Sequence, residues 1–112
     1  MADRKEAARL LRKAREGNQK RRSSIPRSRP VTPGEILVRE FLEPLGRTQT
    51  WLASKTGIPR SALSLIATGK RGISAETALK LSRTLGTTPQ FWMGLQMAVD
   101  LWDALERERG AA

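Results

Sequence analysis

The chain has 112 residues, 21 Lys and Arg against 11 Asp and Glu, a formal net charge of +10, and neither cysteine nor histidine. That length allows one domain with a small core and a tail, and the missing thiols and imidazoles exclude ordinary zinc sites, Cys/His nucleophiles, Ser–His triads and a disulfide-built secreted scaffold. No apolar run approaches the ~18 residues of a membrane span and the charged N-terminus lacks the apolar segment of a signal peptide, so the expected location is cytoplasmic and no membrane partner is expected.

The charge is unevenly placed. Residues 1–30 hold eleven basic residues against Asp3, Glu6 and Glu16, which is +8 of the total, whereas residues 31–112 are nearly neutral. Such asymmetry points to a polyanion, nucleic acid before membrane, because no strongly apolar face accompanies it. Ala7, Leu10, Leu11 and Ala14 fall at helical spacing within residues 3–16, with Gly17 and Asn18 ending the pattern. Beyond them the repelling run Lys20–Arg22 and the prolines Pro26 and Pro30 read as linker. Residues 1–31 are thus a flexible basic arm, disordered until a partner is met, and residues 32–109 are the folded domain.

From Thr32 the texture changes. Thr32-Pro33-Gly34-Glu35 joins an N-cap, Pro at the first helical position and Glu three residues after the cap. A first helix runs to about Leu42, burying Ile36, Leu37, Phe41 and Leu42, with Pro44 and Gly46 as its stop. Thr48 caps a second helix, Gln49 to Thr56; Pro59 opens a third that ends before Gly69; Ser74 caps a fourth, to about Leu85. Thr88-Pro89 opens the last and longest, ending near Arg109. There is no strand pattern and no repeat, so the class is all-α, five helices on short connections.

The informative stretch is Gln49–Thr68, QTWLASKTGIPRSALSLIAT. Leu52 and Ala53 face inward, Gly57 supplies a permissive turn, and Ile58, Leu63 and Ile66 anchor the next helix. Arg60, Ser61, Ser64, Leu65 and Thr68 are left pointing away from the core. An outer face of small, polar and basic residues enters a major groove without steric or charge conflict.

These residues resemble the helix-turn-helix family of phage repressors and related bacterial regulators (the XRE family). Further blocks narrow the resemblance: Pro33-Gly34-Glu35-Ile36-Leu37, Glu40-Phe41-Leu42-Glu43-Pro44-Leu45-Gly46, Gly69-Lys70-Arg71-Gly72-Ile73-Ser74-Ala75-Glu76-Thr77-Ala78-Leu79 and Phe91-Trp92-Met93-Gly94-Leu95-Gln96 look like the HigA branch of antitoxins. The likeness covers about residues 32–102. It implies a repressor-like helix-turn-helix fold, binding to double-stranded operator DNA, autorepression, and a partner toxin of the RelE-like ribonuclease type. Departures are Thr56, where the family has an apolar residue, Ala62 and Leu65, where relatives present polar or charged ones, and Ala98-Val99-Asp100-Leu101, which replaces the usual aromatic before the aspartate. The basic arm has no counterpart in the family.

Gln49 resembles the family glutamine that contacts phosphate and braces the recognition helix. Arg60 has the chemistry to pair bidentately with guanine, worth roughly 1–3 kcal/mol of discrimination, or to clamp a phosphate. Ser61, Ser64 and Thr68 offer hydroxyls, Leu65 an apolar contact to a thymine methyl, and Lys70 and Arg71 follow the recognition helix where backbone phosphates lie. Each has an ordinary alternative: Leu65 packed inside the domain or a dimer, the others solvated or small tolerated side chains.

The last helix is over-supplied with apolar residues. Trp92, Leu95, Val99 and Trp102 form one stripe, Phe91, Ala98, Leu101 and Leu105 another, with Met93 and Met97 between them. A monomer's core needs one stripe. The surplus predicts a homodimer with Trp92, Leu95, Val99 and Trp102 at its interface; the alternative is a central helix wrapped by the other four. A twofold dimer predicts a palindromic operator with half-sites about one helical turn apart. No catalytic pair, metal site or phosphate-binding glycine loop is evident, so no enzyme and no cofactor are expected. A free-standing repressor without a toxin, and an architectural binder working mainly through charge, are the competing readings; a basic arm that follows DNA, or one that folds on a toxin, are the competing readings of residues 1–30.

Overall fold

The computed structural model describes residues 4–9 and 28–111. Residues 4–9 are helical with exposed side chains; the rest of the helix expected at residues 3–16, and the linker up to residue 27, lie outside the described residues. The body is five helices, with no strand among the described residues.

Helix α1 is continuous from Pro33 through Leu45 and has a π-helical middle, Leu37–Leu42. Thr32 caps it, its Oγ1 accepting the Glu35 N–H at 3.1 Å. The helix outruns its expected end at Leu42 by about one turn, and Pro44 is the reason. A proline in a regular helix loses its N–H and its ring presses on the carbonyl four residues back. Here the turn ahead of it widens: the Glu43 N–H reaches the Val38 carbonyl five residues earlier, the π-type bond that makes such room. Pro44 is absorbed, and the chain leaves the helix only at Gly46.

Helices α2 (Gln49–Thr56), α3 (Arg60–Ala67) and α4 (Ala75–Leu85) follow on short connections. Thr48 and Ser74 cap α2 and α4 through their hydroxyls, accepting the Trp51 and Thr77 N–H groups. Helix α5 (Pro89–Ala111) packs on α4 and touches α1. Leu37, Leu42, Leu52, Ile58, Leu63, Ile66, Ile73, Ala78, Leu81 and Trp92 make one core into which all five helices contribute. Helices α1 and α3 meet closely at Gly34, where a Cβ would stand 1.7 Å from the Ile66 carbonyl oxygen. No side chain fits between them.

The apolar stripe expected at a dimer interface is turned the other way. Trp92 is fully buried and Val99 is 3% exposed within the single chain; Leu95 and Trp102 are half-buried. Trp92 sits 5.3 Å from Phe41 and 5.0 Å from Phe91, ring centre to ring centre, and its indole N–H donates to the Thr87 hydroxyl at 2.7 Å. Trp92 and Leu95 are thus taken up by the chain's own core, while Val99 is buried outside that cluster and Trp102 is only partly covered. Left exposed are Phe91, Met93, Met97, Leu101 and Leu105.

The junction between arm and body is held by charge. Arg29, inside the segment expected to be flexible, forks onto Asp103 of α5, with Nε–Oδ1 and Nη2–Oδ2 both 2.9 Å. The Arg29 hydrogen bonds, with a smaller contribution from charge attraction, hold the Asp103 carboxyl below the usual aspartate value. Contact between the N-terminal segment and the body therefore starts ahead of Thr32.

Candidate nucleic-acid interface

Helices α2 and α3 are joined by Gly57-Ile58-Pro59. Gly57 adopts φ +76°, a left-handed conformation that other residues reach only with strain. Its N–H closes α2 on the Ala53 carbonyl at 2.9 Å. Thr56 has a physical reason for standing where an apolar residue was expected. Its hydroxyl donates to the Leu52 carbonyl at 2.7 Å and accepts the Ile58 N–H at 3.1 Å, bridging helix end and turn.

With Ile58, Ala62, Leu63 and Ile66 buried, the opposite face of α3 presents Arg60, Ser61, Ser64 and Leu65. Gln49 is half-buried and shares an open depression with Arg60, Ser61 and Ser64, so these four side chains are brought together. Leu65 is 43% exposed, so its side chain is available on this face. Ala62, the other departure from the family pattern, faces the core and leaves no gap in the outer face.

Thr68 plays a different part from the one expected: its hydroxyl donates back to the Ser64 and Leu65 carbonyls at 3.0 and 3.2 Å, so it closes α3. The oxygen still keeps acceptor capacity toward solvent. Lys70 and Arg71 are exposed, on a loop whose backbone N–H groups both return to the Leu65 carbonyl, at 2.9 and 3.2 Å. They border a second depression together with Arg29, Asp100 and Asp103 rather than the one holding Gln49.

The electrostatics are one-sided. Between Glu43 and Glu76 the chain carries no carboxylate and five cations, Arg47, Lys55, Arg60, Lys70 and Arg71. No acidic residue occupies the first turn of α2 or α3, where free N–H groups and the helix dipole favour an anion. Arg47 belongs in this set, although motif reading passed over it. Its guanidinium lies 5.0 Å from the centre of the Trp51 ring, directly ahead of the Thr48 cap. An arginine beside a helix cap, four residues before a tryptophan, was the available signal. Among the described residues no group of three His, Cys, Asp or Glu side chains is placed to hold a metal ion, and no helix is long and apolar enough to cross a membrane.

The helix-turn-helix family model matches residues 38–92. Antitoxin HigA-1 of Vibrio cholerae serotype O1 is 47% identical over 79 residues, 70% of this chain and 74% of that protein. Among solved structures, an addiction module antidote protein of a HigA family from Coxiella burnetii is 39% identical and superposes with a TM-score of 0.69, over 75% of this chain and 91% of its own. The Pseudomonas aeruginosa antitoxin HigA, solved with the higBA promoter, is 36% identical with a TM-score of 0.70, over 74% of this chain and 90% of its own.

Proposed function

We propose that this chain, which belongs to the HigA-type branch of the phage-repressor-like helix-turn-helix family, binds an operator in double-stranded DNA, represses its own operon, and neutralises a toxin of the RelE-like ribonuclease type. The observation that carries the DNA reading is the outward face of α3. Arg60, Ser61, Ser64 and Leu65 are exposed, Gln49 lies beside them, and the chain from Pro44 to Ala75 that forms this face carries cations and no carboxylate. Arg60 reads a guanine edge or clamps a phosphate; Leu65 packs on a thymine methyl; Lys70 and Arg71 meet the backbone after the recognition helix. Two copies associate through the exposed face of α5, formed by Phe91, Met93, Met97, Leu101 and Leu105, so that two α3 helices enter successive major grooves of a palindrome.

The toxin half of the reading rests on what HigA antitoxins are named for. Selecting duplexes from a random library with the purified chain tests the DNA half: enrichment of an inverted repeat supports it, and charge-dependent binding without enrichment would replace it with architectural binding. Co-expression with the small reading frame beside its gene tests the other half. Growth rescue and a stable complex support an antitoxin, and a harmless neighbour that never co-purifies leaves a free-standing repressor.

A further inference from the structure

We propose that Gln96 of α5, far in sequence from the helix-turn-helix, is a positioning residue of the DNA interface, holding the loop that carries Lys70 and Arg71; the proposal rests on the DNA-binding reading above. On its upstream side this loop is fixed to α3, since the Gly69, Lys70 and Arg71 N–H groups return to the Ile66 and Leu65 carbonyls. Downstream it is fixed by Gln96 alone among polar side chains with a described bond to it. The Gln96 Oε1 accepts the Ile73 N–H at 2.8 Å. Its amide lies against Gly72 so closely that a Cβ there would fall 2.9–3.0 Å from its terminal atoms.

The orientation of the amide is determined by its partners. The Ile73 N–H can only donate, so the amide atom facing it must be the oxygen, and the Asp100 oxygen on the other side then receives the amide N–H. Gln96 Nε2 donates to Asp100 Oδ1 at 2.9 Å, which turns Oε1 toward Ile73. One side chain thus bridges α5 and the loop, and Ile73 and Asp100 together set which way it faces. Glycines at both ends of the Lys70-Arg71 pair give that segment little stiffness of its own. Tethered at both sides, the two cations keep one placement relative to α3, and a phosphate contact does not have to order them on binding.

The decisive variant is Gln96→Met, close in shape and without either hydrogen bond. The probe is a fluorescein-labelled duplex enriched by the wild-type chain from a random library, with affinity measured by anisotropy across a salt series and active protein counted by stoichiometric titration. Gln96→Met is expected to bind about five- to tenfold more weakly, about one net hydrogen bond's worth of order, with a log–log salt slope shallower by about one to two, since each lost phosphate contact removes about 0.9. In a Lys70→Ala/Arg71→Ala background the same change is expected to have no further effect, because the residues through which Gln96 acts are gone. The exchange Gln96→Glu with Asp100→Asn keeps an acceptor for Ile73, reverses the donor and conserves net charge, and is expected to bind within about twofold of wild type.

An unchanged salt slope in Gln96→Met, or an equal loss in the Lys70→Ala/Arg71→Ala background, would show Gln96 to be a brace of the fold only and overturn the proposal while the DNA reading stands. A wild-type chain that enriches no duplex overturns both.

Discussion

Replacing Gly34 with alanine tests whether the approach of α1 to α3 sets the recognition helix. The added Cβ would lie 1.7 Å from the Ile66 carbonyl oxygen, 2.5 Å from its carbonyl carbon and 3.0 Å from the Ala67 Cα. A carbon–oxygen contact is comfortable at about 3.3 Å or more, so the two backbones must part by about 1.5 Å. The obstacle is main chain inside a helix, which cannot rotate aside as a side chain does. Overpacking costs about 1–3 kcal/mol and occasionally more, and a rigid obstacle places Gly34→Ala at or above the upper end. For a domain of this size about 3 kcal/mol lowers the melting temperature by roughly 12–24 °C. Gly94→Ala is the matched control. Gly94 lies within α5 with nothing within 4 Å of its would-be Cβ, so there the better helix propensity of alanine raises stability by up to about 1 kcal/mol. Thermal unfolding followed by circular dichroism therefore separates two identical substitutions by sign. Operator affinity of the folded fraction also falls in Gly34→Ala, because Ile66 is on α3 itself. A melting temperature within about 2 °C of wild type would refute the close-approach reasoning.

Arg60→Ala is expected to lose about 1–3 kcal/mol at one base position of a selected operator and to relax preference there; a uniform loss over all positions, measured by binding to single-base variants, would assign Arg60 to phosphate instead. Met97 and Leu101 are 59% and 58% exposed on α5, so Met97→Glu with Leu101→Glu is expected to shift light-scattering mass from dimer to monomer with the circular dichroism spectrum unchanged. Loss of helix in that variant would mean that this face belongs to the chain's own core. The Asp103 carboxyl is held below its ordinary value, so its pairing with Arg29 stabilises the folded state above the unfolded-state value and that contribution is lost as pH falls through the lower folded-state one. The Arg29 Nε–H resonance is accordingly expected to stay unchanged through mildly acidic pH and to move only below the usual aspartate range; a shift at or above that range, or no change in Asp103→Asn, would contradict the pairing.

Local chemistry was legible in the sequence, and long-range chemistry was not. Thr32, Thr48 and Ser74 each satisfy N–H groups within three residues of themselves, so the starts of three helices can be read from a few adjacent letters. The inward face of α3 was equally readable, because Arg60, Ser61 and Ser64 contrast with Leu63 and Ile66 at helical spacing, and Leu65 then follows by its place on the polar side. Helix α5 offers no such contrast. Two apolar stripes share it, and only the packing of Phe41 and Thr87 against Trp92 decides which one turns inward. Pro44 was misread as a stop for a related reason: a proline ends a regular helix, and whether the preceding turn can widen depends on the backbone around it. The Arg29–Asp103 pair joins residues 74 apart in sequence, and in a chain of 21 basic and 11 acidic residues no pattern singles that pair out. Arg29, Asp100, Asp103 and Gln96 all gather at the loop after α3. Helix α5 therefore brings the N-terminal segment and the loop proposed to meet DNA under one support, through Asp103 on Arg29 and Gln96 on Ile73, so a change on its polar side is expected to reach the placement of Lys70 and Arg71 without touching a residue of the helix-turn-helix.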